Sequence, residues 1–347
     1  MRSPCFCVLY LAVVLPGFAQ APASAGPGLP KDPREVFAAA APFYDFTNAS
    51  LKPWHLKATY QLYDAKGKPT EQGTYEYWWA SPQVYRSTWT RAGATLTVWH
   101  PADGKLPVQS SGERIERVEY FEFKLRDALL SPLPSSADLD PAKGTLYIES
   151  KAENGNTPSC IMLVPLLQRA MKDQAMPLGF FPTYCFDPQL SALRASSSFA
   201  NPLIMFDNIA KFQNRFLPRD IRILEGGIEV LSAKVDSVTY LDAADPALTP
   251  TEPLDKLLIG RTIVKPVLDS RVEPVYPPDT KVARISGDVV LHGMIGKDGS
   301  VRDLRVISAP CLSLAESALT AVSQWRYKPL LLEGKPVATM TTINVRF

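Results

Sequence analysis

From Pro336 to Phe347 the chain alternates. Val337, Thr339, Thr341, Ile343, Val345 and Phe347 share one side, and Ala338, Met340, Thr342, Asn344 and Arg346 share the other. A period of two over this length predicts a half-buried strand and excludes a helix. One strand is not stable alone, so it needs partners and an apolar layer. The preceding residues supply both. Val289 to Lys297 alternates, with Val289, Leu291 and Ile295 on one face. Asp298-Gly299 is a strong short hairpin signal, and Val301 to Ser308 reads as the return strand. Ser313 and Glu316 have capping-box spacing. Behind them Ala315, Ala318, Val322 and Trp325 fall on one helical stripe. Pro329 is expected to end that helix, because the residue before proline is pushed out of helical angles. Glu333-Gly334-Lys335 is a turn into the last strand. The predicted order is β-β-α-β, and a three-stranded sheet has two edges open to another strand.

The rest of the chain is different in texture. Phe6 to Leu15 is a short apolar run after Arg2, and Gly17-Phe18-Ala19 offers small residues for cleavage. Residues 1–19 therefore read as an export signal, cleaved or else retained as an anchor. The run is shorter than the roughly 20 residues of a comfortable membrane span. Residues 20–31 are an Ala-, Pro- and Gly-rich leader. Asp32 to Tyr44 is expected to open as a helix, with Asp32 as N-cap and Pro33 at its first position.

Residues 32–240 read as one antiparallel, β-rich unit with helices packed on it. Strands are expected at Leu56–Tyr63, Gln72–Trp79, Val84–Thr90 and Thr95–Trp99, separated by short turn signals. Helices are expected at Glu113–Leu130 and over the apolar run Cys160–Met171. Strands return around Tyr184, then at Ala192–Phe199, Ile204–Phe206, Phe216–Leu224 and Ile228–Thr239. Glu225-Gly226-Gly227 joins the last two as a hairpin. Residues 241–270 are a linker held extended by its prolines, in which Leu257–Val267 is expected to add a strand to one neighbour. Cys160 and Cys185 either form a disulfide, as an oxidising compartment permits, or are small buried hydrophobes.

Five motifs carry a resemblance over 271–347. They are Val275-Tyr276-Pro277-Pro278, then Ala283-Arg284 through Gly287-Asp288 to Val290, then Lys297-Asp298-Gly299-Ser300-Val301, then Gln324-Trp325-Arg326-Tyr327-Lys328-Pro329, then Gly334-Lys335-Pro336-Val337. In order and spacing they resemble the TonB family C-terminal domain. The overall fold class is thus α+β: an antiparallel sheet with helices, followed by a small β-β-α-β domain. The resemblance implies binding of an extended peptide by strand addition, where backbone bonds give affinity and alternate side chains give specificity. It implies a receiving edge at Ala338, Met340, Thr342, Asn344 and Arg346, with Glu273 and Tyr276 as further contacts. It implies outer-membrane TonB-dependent receptors or other envelope proteins as partners, and a periplasmic location. The motif residues Tyr276, Pro277, Arg284, Gly287, Asp298, Gly299, Trp325, Arg326, Tyr327 and Pro329 read mainly as structural. Pairing of the same edge with a second copy is the competing use.

The order of elements in 32–240 resembles the half-barrel of outer-membrane lipoprotein carriers. That likeness implies a concave apolar face able to shelter a lipid. The alternative is that Tyr75, Tyr77, Trp78, Trp79, Tyr85, Trp89 and Trp99 simply fill a core. A globular unit also stands where the family has a long Pro-rich spacer. A linker of about 30 residues reaches less than about 100 Å at about 3.1 Å per residue.

The balance of 37 Lys plus Arg against 35 Asp plus Glu leaves no nucleic-acid footprint. The three histidines, His55, His100 and His292, are scattered, and there is no Cys/His cluster, so no metal or other cofactor is expected. There is no nucleophile elbow, no zinc-protease motif and no phosphate-cradling loop, so no enzyme is expected. Glu116 and Glu119 are spaced as a solvated helix face.

Overall fold

A computed structural model describes residues 30, 32–102, 107–111, 116–135, 139–140, 145–150, 159–164, 179, 181–187, 191–197, 202–250, 258–259, 266–332, 335–337 and 339–347. The expected signal and nearly all of the leader lie outside them.

Helix α1 (Pro33–Ala40) starts as its sequence requires: Asp32 accepts from the Arg34 amide at 2.9 Å, and Pro33 occupies the first helical position. Strands β1 (Trp54–Tyr63), β2 (Pro69–Ser81), β3 (Val84–Arg91), β4 (Ala94–His100) and β5 (Pro107–Ser111) follow as a meander. After α2 (Glu116–Leu130) come β6 (Thr145–Ser150), β7 (Ser159–Val164), β8 (Thr183–Phe186), β9 (Leu193–Ser197), β10 (Leu203–Phe212), β11 (Arg215–Glu225) and β12 (Ile228–Tyr240). With β13 (Leu258–Ile259) they make one antiparallel sheet, ordered β13-β5-β4-β3-β2-β1-β12-β11-β10-β9-β8-β7-β6. Strand β12 returns from the far end of the chain to pair with β1, which joins the two meanders. The β11–β12 hairpin turns on Gly226 and Gly227, both at positive φ, as a tight turn of the right hand for strand twist demands.

Alternation decides the core. In β1, Trp54, Leu56, Ala58, Tyr60 and Leu62 are buried, as are Tyr75, Tyr77 and Trp79 of β2. Phe37 of α1 and Phe121, Leu125 and Leu129 of α2 pack into the same cluster, so both helices lie on that face. Tyr60 donates to the buried carboxylate of Glu122 at 2.6 Å, which fastens α2 to the sheet. The aromatics on this face are therefore core. Trp78 points to the opposite face, where it stacks on His55 at 4.5 Å between ring centres.

The run from Cys160 is not a helix. Residues 159–164 form β7, an inner strand between β6 and β8, and the expected extension to Met171 lies outside the described residues. Ile161 and Met162 are both buried although they point to opposite faces, which is why the run is continuously apolar. Cys160 and Cys185 are register partners in β7 and β8 and form a disulfide.

The C-terminal part has its own apolar cluster. Strand β14 (Leu268–Ser270) leads to α3 (Pro278–Ala283), a helix the sequence reading did not foresee. Then come β15 (Asp288–Ile295), β16 (Val301–Ser308), α4 (Leu312–Val322), β17 (Arg326–Tyr327), β18 (Leu330–Leu332), β19 (Lys335–Val337) and β20 (Thr339–Arg346). The main sheet is β16-β15-β20; β18 pairs with β19, and β14 with β17. Leu314, Ala315, Ala318 and Val322 of α4 are buried with Val289, Leu291, Ile343 and Val345 beneath them.

Three local expectations need correction. The capping box does not form: Cys311 is the N-cap, and Ser313 sits inside α4, donating to Asp279 at 2.5 Å. Helix α4 ends at Val322, well before Pro329, because Trp325 drops into the core and Arg326–Tyr327 become extended. The last strand is two strands, with β19 folded back on β18 and only β20 joining the sheet.

Candidate functional site: the open edge of the C-terminal sheet

Strand β20 pairs with β15 along one side, in unbroken register from Asp288–Arg346 to Ile295–Thr339. Among the described residues no strand pairs with its other side. The opposite edge of the sheet is less free. The start of β16 is bridged at Ser300 to Arg326, and β17 carries β14 in turn.

The phase of the β15–β20 ladder decides which backbone groups face outward. Gly287 and Phe347 exchange both amide bonds, at 3.3 and 3.1 Å. Directly opposed antiparallel residues alternate between bonded and non-bonded pairs. Counting from Gly287–Phe347, the amides and carbonyls of Val345, Ile343, Thr341 and Thr339 turn inward to β15. Those of Arg346, Asn344, Thr342 and Met340 turn to the open edge. The side chains of Thr342, Asn344 and Arg346 are exposed on the face away from α4. Met340, Thr342, Asn344 and Arg346 are four of the five edge residues the sequence singled out; Ala338 lies outside the described residues. Arg346 is 3.8 Å from Asp288, with both side chains largely in water, where such a pair contributes little.

Glu273 and Tyr276 lie on the segment between β14 and α3. That segment runs along α4: Trp325 Nε1 donates to the Val272 carbonyl at 2.8 Å, and Ser317 Oγ to the Val275 carbonyl at 2.5 Å. Tyr276 packs edge-on against Phe347 at 5.8 Å and donates to the Ile285 carbonyl. It thus sits beside the end of β20 but is committed to the fold. Glu273 is exposed and paired with Arg271 at 2.8 Å.

The remaining motif residues take the following places in the fold. Pro277 is the N-cap of α3, and Arg284 closes it in the left-handed region at φ 53°. Trp325 is 4% exposed, with the Arg271 guanidinium over its ring. Gly299 has φ +76°, and a Cβ there would stand 1.9 Å from the Tyr327 carbonyl oxygen. Its own carbonyl accepts the Tyr327 amide at 2.9 Å. Asp298 accepts from the Ser300 amide and hydroxyl and from Arg302, which holds its carboxyl down at about 2. The β15–β16 connection is accordingly a loop of several residues, longer than a two-residue turn. Arg326 is exposed and Tyr327 half-buried, and Pro329 separates β17 from β18.

Residues 272–347 match the family model of the Gram-negative bacterial TonB protein C-terminal. Over 85 residues the chain is 34% identical to protein TonB of Vibrio cholerae serotype O1, covering 24% of this chain and 35% of that one. Over 78 residues it is 33% identical to protein TonB of Klebsiella aerogenes, covering 22% and 30%. The chain thus spans about a third of the length of these TonB relatives. The TonB likeness stops at the C-terminal segment. Outside it, a LolA superfamily protein from Nitrosomonas europaea aligns over 62% of this chain and 97% of its own, at 10% identity and TM-score 0.37. A putative outer membrane lipoprotein-sorting protein domain from Vibrio parahaemolyticus aligns over 59% and 91%, at 7% identity and TM-score 0.27. The architecture of this part is its own sheet with two helices on one face.

Two cavities of about 220 Å³ lie near β8–β10, below the roughly 300 Å³ at which ligand pockets begin. Among the described residues no group of His, Cys, Asp and Glu is placed to hold a metal. No described helix is long and apolar enough to cross a membrane.

Proposed function

We propose that this chain is a TonB-like envelope protein that takes up an extended peptide of an outer-membrane transporter, or of another envelope partner, as a fourth strand beside β20. The unpaired outer side of β20 carries this reading. An incoming strand finds the amides and carbonyls of Met340, Thr342, Asn344 and Arg346 in a row, two residues apart, at the spacing an extended backbone repeats. Its side chains alternate between the exposed face, beside Thr342, Asn344 and Arg346, and the α4 side, beside Phe347 and Tyr276. The likeness of residues 272–347 to the TonB C-terminal supports the choice of partner, and the apolar start supports export to the periplasm. Residues 32–240 and 271–347 act as separate units on this reading, and no catalytic step is assigned to either.

The test is residue-resolved hydrogen exchange on the full chain, with and without a synthetic peptide from the periplasmic N-terminus of such a transporter. Strand addition predicts new protection at the Met340, Thr342, Asn344 and Arg346 amides. The amides of Thr341, Ile343 and Val345 are already bonded and should not change. Protection of the even set without peptide, growing with protein concentration, would instead identify a second copy as the occupant. No new protection under either condition removes the proposal.

A further inference from the structure

The outer face of the large sheet, opposite the aromatic core, carries a ladder of side chains across four strands. His55, Trp78, Arg86 and Trp99 are successive register partners in β1, β2, β3 and β4. Trp78 stacks on His55 and holds the Arg86 guanidinium 4.2 Å from its ring centre. Arg86 also lies 5.4 Å from the Trp99 ring, and His55 reaches Glu76 at 3.1 Å. Such a row is normally solvated. Here Trp99 is only 3% exposed, because the first part of the linker lies over it.

That segment is the stretch 241–250, with prolines at 246 and 250. The Leu241 amide donates to the Pro53 carbonyl at 2.9 Å. Asp245 caps a single 3-10 turn, Pro246–Leu248, by accepting from the Ala247 amide. The Ala247 carbonyl then accepts two side-chain donors from the ladder, Arg86 Nη1 at 3.2 Å and Trp99 Nε1 at 3.3 Å. Leu248 is buried at 6% exposure. The shared acceptor is the carbonyl of Ala247, which follows Pro246 in that turn. Further on, β13 clips to β5 through two residues only, and one of its partners, Pro107, has no amide to give. Residues 268–270 are paired in the C-terminal unit.

We propose that the His55–Trp78–Arg86–Trp99 ladder is a releasable seat for the linker segment 241–250, giving the tether to the C-terminal unit a short and a long setting. The clip and the seat act in series: with β13 clipped, residues 260–267 separate the two fastened ends, at most about 30 Å of extended chain, and with β13 open but the seat filled, residues 251–267 do, at most about 60 Å. With both released, residues 241–267 are free, and the span rises to about 90 Å. Nothing in the seat is a continuous ladder: the Leu241–Pro53 backbone bond, the Ala247 carbonyl, the Leu248 side chain and a capped turn hold it. The seat can therefore open while the sheet beneath stays paired through β1–β4.

Two full-chain variants test this from opposite sides. Arg86→Met with Trp99→Phe removes both donors while keeping apolar bulk. Leu248→Ser weakens the strap itself and leaves the sheet untouched. Hydrogen exchange at the Leu241, Leu248 and Thr249 amides should accelerate at least tenfold in both variants, with the β1–β4 amides unchanged. With Leu258→Gly and Ile259→Ser added to open the β13 clip, small-angle X-ray scattering should show the maximum dimension growing by about 30 Å over the same clip-open chain with its seat intact. Unchanged strap protection in both variants overturns the seat. Faster exchange with an unchanged maximum dimension overturns its control of reach. Neither measurement uses a peptide, so the result is independent of the strand-addition reading.

Discussion

Proline at position 344 and proline at position 345 should have opposite consequences, although the two sites are neighbours on one strand. The ladder phase sets the difference. The Asn344 amide faces the open edge, where no described strand pairs with it, whereas the Val345 amide faces β15, opposite Val289. Asn344→Pro removes an outward donor at an edge strand, a place where proline is tolerated. Its demand that Ile343 stay extended is already met. The fold should therefore lose little. A bound peptide, however, loses one backbone bond, and its own carbonyl is left unpaired. That combination costs about 1–3 kcal/mol, or about 5- to 150-fold in Kd. Val345→Pro removes an inward ladder bond and a side chain that is 1% exposed, and should cost the C-terminal unit about 3 kcal/mol or more. The assay is a paired one on the full chain: calorimetric titration with the transporter peptide, and hydrogen exchange of the α4 amides as the stability readout. If Asn344→Pro binds like the parent, the outward phase is wrong or the peptide docks elsewhere. If Asn344→Pro destabilises α4 as much as Val345→Pro does, the edge is already occupied within the chain.

Gly299→Ala should destabilise the C-terminal unit by about 3 kcal/mol, from left-handed strain plus displacement of Tyr327. Gly93→Ala, at φ +70° with nothing near its Cβ, should cost its own sheet only about 1 kcal/mol; equal losses by hydrogen exchange would refute the steric account. Replacing Cys160 and Cys185 together by Ser should lower the stability of the large sheet by about 3 kcal/mol, the loop entropy of a separation of 25 residues, read as a drop in urea midpoint with a somewhat steeper slope, because the uncrosslinked chain exposes more surface on unfolding. Burial lowers the His55 and His100 pKa values; at His55 it outweighs Glu76, which pulls upward, and at His100 Arg126 adds to it. Both rings are therefore neutral when folded and take up protons more readily when unfolded. Their contribution is complete above about pH 6.5 and is lost as pH falls below it. Urea titrations at pH 7.5 and 5.5 should show this loss, and a His55→Gln/His100→Gln variant should show less of it.

Much of the structure follows from local chemistry. Asp32-Pro33 starts α1, Gly226-Gly227 turns the β11–β12 hairpin, and the even spacing of turn signals from Trp54 to His100 marks out the meander. The alternation in β20 separates Ile343 and Val345 from Thr342 and Asn344 without reference to any other segment. These features depend on backbone angles and side-chain period, which neighbours in sequence set. The misreadings all lie where a distant group competes. A short apolar run at Cys160 suits a buried strand or a buried helix equally, and only its place between β6 and β8 decides. Ser313 has the spacing of a cap, yet Asp279, 34 residues earlier, takes its hydroxyl. Trp325 lies on the helical stripe, but its ring is pulled down to the Val272 carbonyl and the helix stops short.

The candidate site divides along the same line. The residues of the edge strand are legible from alternation and from likeness to a family. Which of its two sides is open, and which amides point outward, is not. Strand order β16-β15-β20 and the reciprocal pair of hydrogen bonds between Gly287 and Phe347 settle both, and each joins segments far apart in the chain. Period two assigns side chains to faces, but it says nothing about hydrogen-bond direction, because that depends on where the first cross-strand pair closes. The seat for residues 241–250 was invisible for the same reason: Arg86, Trp99 and Ala247 come together only when β3, β4 and the linker are folded.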